Sequence, residues 1–140
     1  MKEDHQLEAM LGFWIAVFAL LFALLVPGAG LPPLWRIWWA DVQLNLTRPS
    51  PPRMMVDIFF LTANVLWLVS PFLVRVYSRS GVLRMLALVM SAVTAAAAGM
   101  WFYIVPMKAP AVCAILLAAV AHLAGMLMVR KQEPVLGRPV

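Results

Sequence analysis

The sequence predicts an all-α, polytopic membrane protein, with four transmembrane helices and a short interfacial Trp-rich helix in the first loop. Three observations carry this. The chain is 64% hydrophobic and only 12% charged, whereas about a quarter of the residues of a soluble domain carry charge. Four runs, at residues 9–26, 54–74, 85–105 and 111–129, are apolar nearly throughout. With a rise of 1.5 Å per residue, runs of this length span a hydrocarbon core of roughly 30 Å. The third observation is a tryptophan-rich amphipathic stretch between the first two runs. The spans use up most of the 140 residues, so one domain covering 1–140 is expected.

The first span, 9–26, follows a short polar tail. It is read as retained rather than as a cleaved signal peptide, because Glu3, Asp4 and Glu8 are wrong for a positive leader. Its Phe, Leu, Ala and Val side chains, with nothing polar at mid-depth, suit a helix that faces lipid. The sequence PGAGLPP then stops the helix and turns the chain.

The interfacial helix is expected at about 33–46. On a helix Trp35, Trp38, Trp39, Val42 and Leu46 share one face, and Arg36 and Gln43 point the other way. Tryptophan favours the headgroup boundary, where its ring is apolar and its N–H stays hydrated. This helix either anchors the loop to the membrane surface or offers Trp35, Arg36, Trp38 and Trp39 to a partner or a lipid headgroup. The segment RPSPPR reads as an extended, proline-stiffened linker into the second span.

The second span, 54–74, carries Asp57, Asn64 and Pro71 along one stripe. Arg53 precedes Asp57 by four residues and is a candidate ion-pair partner; Lys108, at the same end of the bundle, is another. The third span, 85–105, repeats small residues at Ser91, Ala95 and Gly99, a spacing that lets helices approach closely. In the fourth span, 111–129, Ala118 and Gly125 do the same around His122.

Asn64, Thr94 and His122 lie near the midpoints of three consecutive spans. Each needs a partner in hydrocarbon, so a hydrogen-bonded layer within the bundle is expected. Its roles are structural, or proton-linked because histidine titrates near neutral pH.

The basic residues sit at span ends. Lys2, Arg75, Arg79, Arg84, Arg130, Lys131 and Arg138 fall at one end and Arg36, Arg48, Arg53 and Lys108 at the other. This asymmetry places both termini in the cytoplasm. It also accounts for the net charge of +5 through lipid and topology, without nucleic acid.

Catalytic motifs are absent from the sequence: it has no CxxC, HExxH, glycine-rich phosphate loop or nucleophile elbow. Cys113 and His122 stand nine residues apart on one helix, about 13 Å along its axis, too far to share an ion. No enzyme activity, metal or cofactor is expected. The partners expected are the lipid bilayer and another membrane protein, or the chain itself as a homo-oligomer.

The function class that fits is a non-catalytic interaction protein of a bacterial inner membrane, either an accessory subunit of a larger complex or an immunity-type protein against a pore-forming toxin. The alternative is a small oligomeric transporter or channel, with Asp57, Asn64 and His122 lining the path.

Overall fold

The computed structural model describes the backbone of residues 2–28, 30–105 and 109–130, and side chains from Gln6 onward. Five helices succeed one another: α1 (Lys2–Leu25), α2 (Leu34–Thr47), α3 (Pro51–Arg79), α4 (Gly81–Ile104) and α5 (Pro110–Met128). Helices α1, α3, α4 and α5 are long and apolar enough to cross a membrane. Among the described residues the chain is an all-helical, multi-pass membrane protein, with α2 as the short helix of the first loop. Large apolar side chains such as Phe18, Phe72 and Leu117 point outward. Lipid tails cover them as well as a core would, so small and polar residues are left to set the interior.

Helix boundaries depart from the sequence reading where local chemistry permits a longer helix. No Gly or Pro interrupts residues 2–8, and α1 begins at Lys2 rather than after a polar tail. The expected RPSPPR linker is shorter than read. Pro51 and Pro52 open α3, where the first turn needs no N–H partners, and Met54 N–H bonds Ser50 O at 2.9 Å. Helix α3 continues through Pro71 to Arg79, 29 residues in all, longer than a perpendicular crossing requires. Between α1 and α2 a tight turn pairs Gly28 with Leu31, and Gly30 adopts φ 75°, which a side chain would disfavour.

The four spans form a ring in which α1 touches α5, α5 touches α4, α4 touches α3 and α3 touches α1. The α1–α5 seam is its tightest side. Ala9, Phe13, Ala16, Leu20 and Ala23, spaced four and three apart, are all fully buried. They meet Ile115, Ala118, His122 and Gly125 of α5 and Val129 just beyond its end, which follow the same heptad-like rhythm. Small residues recur every seventh position on both helices, so bulky Phe13 can seat against Gly125. A Cβ on Gly125 would lie 2.8 Å from Phe13 Cε1, and one on Gly12 would lie 2.9 Å from Ala121 O.

Helix α1 is therefore not the lipid-facing span its plain composition suggested. Gly99 also departs from its expected place in a packing face: a Cβ there meets nothing within 4 Å. Ser91 is fully buried and Ala95 packs beside the core, but the close helix approach occurs between α1 and α5.

Candidate functional site

Two features stand out in the bundle, at different levels. The first is a closed knot around His122. Its Nδ1 stands 2.8 Å from Ser91 Oγ of α4 and its Nε2 stands 2.7 Å from Ser70 Oγ of α3. Ser70 Oγ donates to Leu66 O at 2.6 Å within its own helix, and Tyr77 OH lies 3.2 Å from the same oxygen.

Donor counting assigns the protons around Ser70. Ser70 has one hydrogen, spent on the Leu66 carbonyl, so it accepts from His122 Nε2–H and from Tyr77 O–H. A charged ring buried with no carboxylate hydrogen-bonded to it would be costly, so the imidazole is neutral and Ser91 donates to Nδ1. The Phe13 ring of α1 closes the knot, with its centroid 5.2 Å from that of His122 and 6.4 Å from that of Tyr77. All four spans meet here, and His122, Ser70 and Ser91 are each fully buried.

The expected layer of Asn64, Thr94 and His122 does not form. Thr94 Oγ1 donates to Ser91 O at 2.9 Å, and Asn64 sits on the other side of Trp67 from the knot. Distance from the basic ends would have found one partner, Ser91, but not Ser70, which is only five residues from Arg75. His122 is eight residues from Arg130 and Ser91 is seven from Arg84, whereas Thr94 is ten from Arg84 and Asn64 eleven from Arg75. Counting from span midpoints put the wrong residues level.

The second feature is a cavity of about 880 Å³ beneath α2, between α3 and α4. Asp41 and Asp57 lie at its α2 end. Trp38, Phe60 and Trp101 wall it, and Trp67, Asn64 and Thr94 line its deepest part. Ser70 and Ser91 are not among its lining residues, so it stops short of the knot. By helical rise, Asp57 to Trp67 is about 15 Å of depth.

Three buried polar atoms belonging to lining residues have no hydrogen-bond partner among the described residues: Trp38 Nε1, Trp67 Nε1 and Asn64 Oδ1. Trp67 is only 3% exposed. Unpartnered buried donors and acceptors each carry a desolvation cost of about 1–3 kcal/mol.

Helix α2 presents a different face to the bundle from the tryptophan stripe read in the sequence. Leu34, Ile37, Trp38, Asp41 and Leu44 face the cavity, and Trp38 packs on Phe60 at 6.1 Å. Trp35 and Trp39 point outward, with the Arg36 guanidinium 5.4 Å over the Trp35 ring. Polar contacts set this rotation. Asn45 donates to Asp57, and Arg53 Nε reaches Asp41 Oδ1 at 3.6 Å. The expected Arg53–Asp57 pair is thus replaced by Arg53–Asp41, while Lys108 lies outside the described residues. Sequence reasoning missed Asp41, Asn45 and Trp67, as well as Ser70 and Tyr77.

Burial raises the Asp41 pKa above the ordinary carboxylate value. A hydrogen bond to Asp57 and that residue's charge add to the rise, and Arg53 opposes it. Two carboxylates share one small region against one guanidinium. Among the described residues no cluster of three or more His, Cys, Asp or Glu side chains is placed to hold a metal ion.

Comparison of the chain with protein-family models, with curated proteins and with solved structures finds no match in any of the three.

Proposed function

We propose that this membrane protein is non-catalytic and acts by binding, holding a largely apolar guest in the cavity beneath α2. The observation that carries the reading is the cavity lining itself. Its size is that of a small-molecule site, and Trp38, Phe60, Ala63, Trp67 and Trp101 give it a predominantly apolar wall.

The setting we propose is a bacterial inner membrane with both termini in the cytoplasm, supported by the excess of Lys and Arg at the end that carries the tails. There the protein serves as an accessory subunit of a larger membrane complex or as an immunity-type protein. The outward face of α2, with Trp35, Arg36 and Trp39, is the surface a protein partner would meet. The transporter reading needs Asp57, Asn64 and His122 on one path. The enclosure of His122 by Phe13, Ser70 and Ser91 speaks against that arrangement.

Native mass spectrometry of protein extracted into mild detergent tests the binding role. The wild-type chain is expected to retain a bound amphipathic molecule. Ala97→Phe, which fills the cavity from a half-exposed wall position, is expected to lose it while melting within a few degrees of wild type. A bound molecule that survives Ala97→Phe, or a wild-type chain that carries none, overturns the proposal.

A further inference from the structure

Helix α2 carries apolar side chains on two sides, and polar ones decide which side faces the bundle. Leu34, Ile37, Trp38 and Leu44 turn toward the cavity, while Trp35, Trp39 and Leu46 are exposed on the outward side. At a membrane surface lipid covers an outward apolar set as well as protein covers an inward one. Apolar burial therefore discriminates weakly between the two rotations.

Four polar side chains make the choice. Asp41 and Asn45 stand one turn apart on α2, and Arg53 and Asp57 stand one turn apart at the start of α3. Asn45 donates to Asp57, Arg53 Nε reaches Asp41 Oδ1 at 3.6 Å, and the two carboxyl groups share a hydrogen bond across the helix pair. That bond needs a proton, because two ionised carboxylates offer only acceptors. With the proton in place the cluster is neutral, one carboxylate against one guanidinium. Without it two carboxylates face each other, and Arg53 offsets only one of them.

Among the described residues no other charge enters the cluster. Arg36 lies over the outward Trp35 ring, and Arg48 is exposed at the C-terminal end of α2. Helices α4 and α5 bring only uncharged side chains to the cavity lining, and α1 brings none. The Asp41 side chain is 35% exposed, so its proton exchanges with bulk water.

We propose that α2 is a proton-operated lid on the cavity: a proton between Asp41 and Asp57 latches the helix down with Trp38 inward, and loss of that proton to water releases it. Given the cavity as the binding site, the lid controls when a guest enters; its movement does not depend on a guest. Burial, the hydrogen bond to Asp57 and that residue's charge hold the Asp41 pKa above the ordinary carboxylate value in the latched state, against the opposing effect of Arg53. A carboxyl that binds its proton more tightly when latched favours the latched state at acid pH. That preference fades as the pH rises through the raised value.

Spin labels on the whole chain in phosphatidylcholine nanodiscs report the lid, in a Cys113→Ala background. Gln43→Cys carries one label on the exposed side of α2, and Tyr103→Cys carries the other near the end of α4. Pulsed electron–electron double resonance is expected to give one narrow distance at about pH 4 and a broader, displaced distribution at about pH 8. The displacement should be on the order of 5 Å, half the width of a helix, with a midpoint above the ordinary carboxylate range. Asp41→Asn keeps a donor toward Asp57 but has no proton to lose, and is expected to hold the narrow distance at every pH.

A distance that stays constant from acid to alkaline pH with Asp41 in place would overturn the lid. So would an Asp41→Asn protein that is open throughout, or one that titrates as the parent does. The labels report with or without a guest, so a static lid fells the latch alone, and the Ala97→Phe comparison decides separately whether the cavity is a binding site.

Discussion

Replacing His122 with alanine is expected to destabilise the bundle by about 3–5 kcal/mol, combining two lost hydrogen bonds, an unsatisfied Ser91 hydroxyl and the space left by the ring. The imidazole bonds α3 and α4 from α5 while its ring packs at a tilt on Phe13 of α1. Its removal therefore loosens every span at once. A fall in melting temperature on the order of 10 °C in detergent is the expected readout. Ser91→Ala, which removes one bond and leaves the ring in place, should cost about 1–2 kcal/mol. The cavity stops at Trp67 and Thr94, so the folded fraction of His122→Ala should still retain the bound molecule that Ala97→Phe removes. A variant that melts with wild type would show that the knot carries little of the assembly.

The second large effect is expected at Gly12. A Cβ there would stand 2.9 Å from Ala121 O and 3.1 Å from Gly125 Cα, and both are backbone atoms that cannot swing aside. Gly12→Leu must push α1 away from α5, opening the seam that buries Phe13 and Leu20. A loss of about 3 kcal/mol or more is expected, at or beyond the upper end of overpacking costs. Gly99→Ala supplies the contrast. With nothing within 4 Å of its added methyl, it should be neutral or gain about 0.5–1 kcal/mol from the helix preference of alanine. Thermal melts of the two variants side by side check the claim. If Gly99→Ala proves the more damaging, the tight interface has been placed on the wrong pair of helices.

The spans were legible because hydrocarbon length and missing charge are one-dimensional signals. The short helix of the first loop was legible for a related reason: proline punctuation before it and tryptophan within it. What escaped was rotation and level. Helix α1 looked uniform because its packing signal lies in size rather than polarity: Ala9, Ala16 and Ala23 alternate with Phe13 and Leu20. His122 was singled out correctly as a buried polar group in need of partners, yet the partners are Ser70 and Ser91 rather than Asn64 and Thr94. Depth counted from the arginines that mark the membrane edge would have selected Ser91.

The cavity was the least legible part. It depends on which face of α2 turns inward, and that is decided by contacts between residues far apart in sequence, Asn45 with Asp57 and Asp41 with Arg53. The hydrophobic stripe alone favours a face that places Trp35 and Trp39 inward; the polar contacts turn them out. Within a membrane the apolar stripe has little to gain from being buried against protein, so a few polar contacts can set the rotation.

Side-specific labelling bears most directly on a sealed knot beside a one-ended cavity. In a Cys113→Ala background, single cysteines at positions 64 and 91 are challenged in sealed vesicles with a membrane-impermeant thiol reagent. The expected result is that position 64 reacts when the reagent is on the side of α2 and not from the side of the tails, and that position 91 reacts from neither. Reaction at 91, or at 64 from the tail side, would mean that water threads the bundle and would contradict the account.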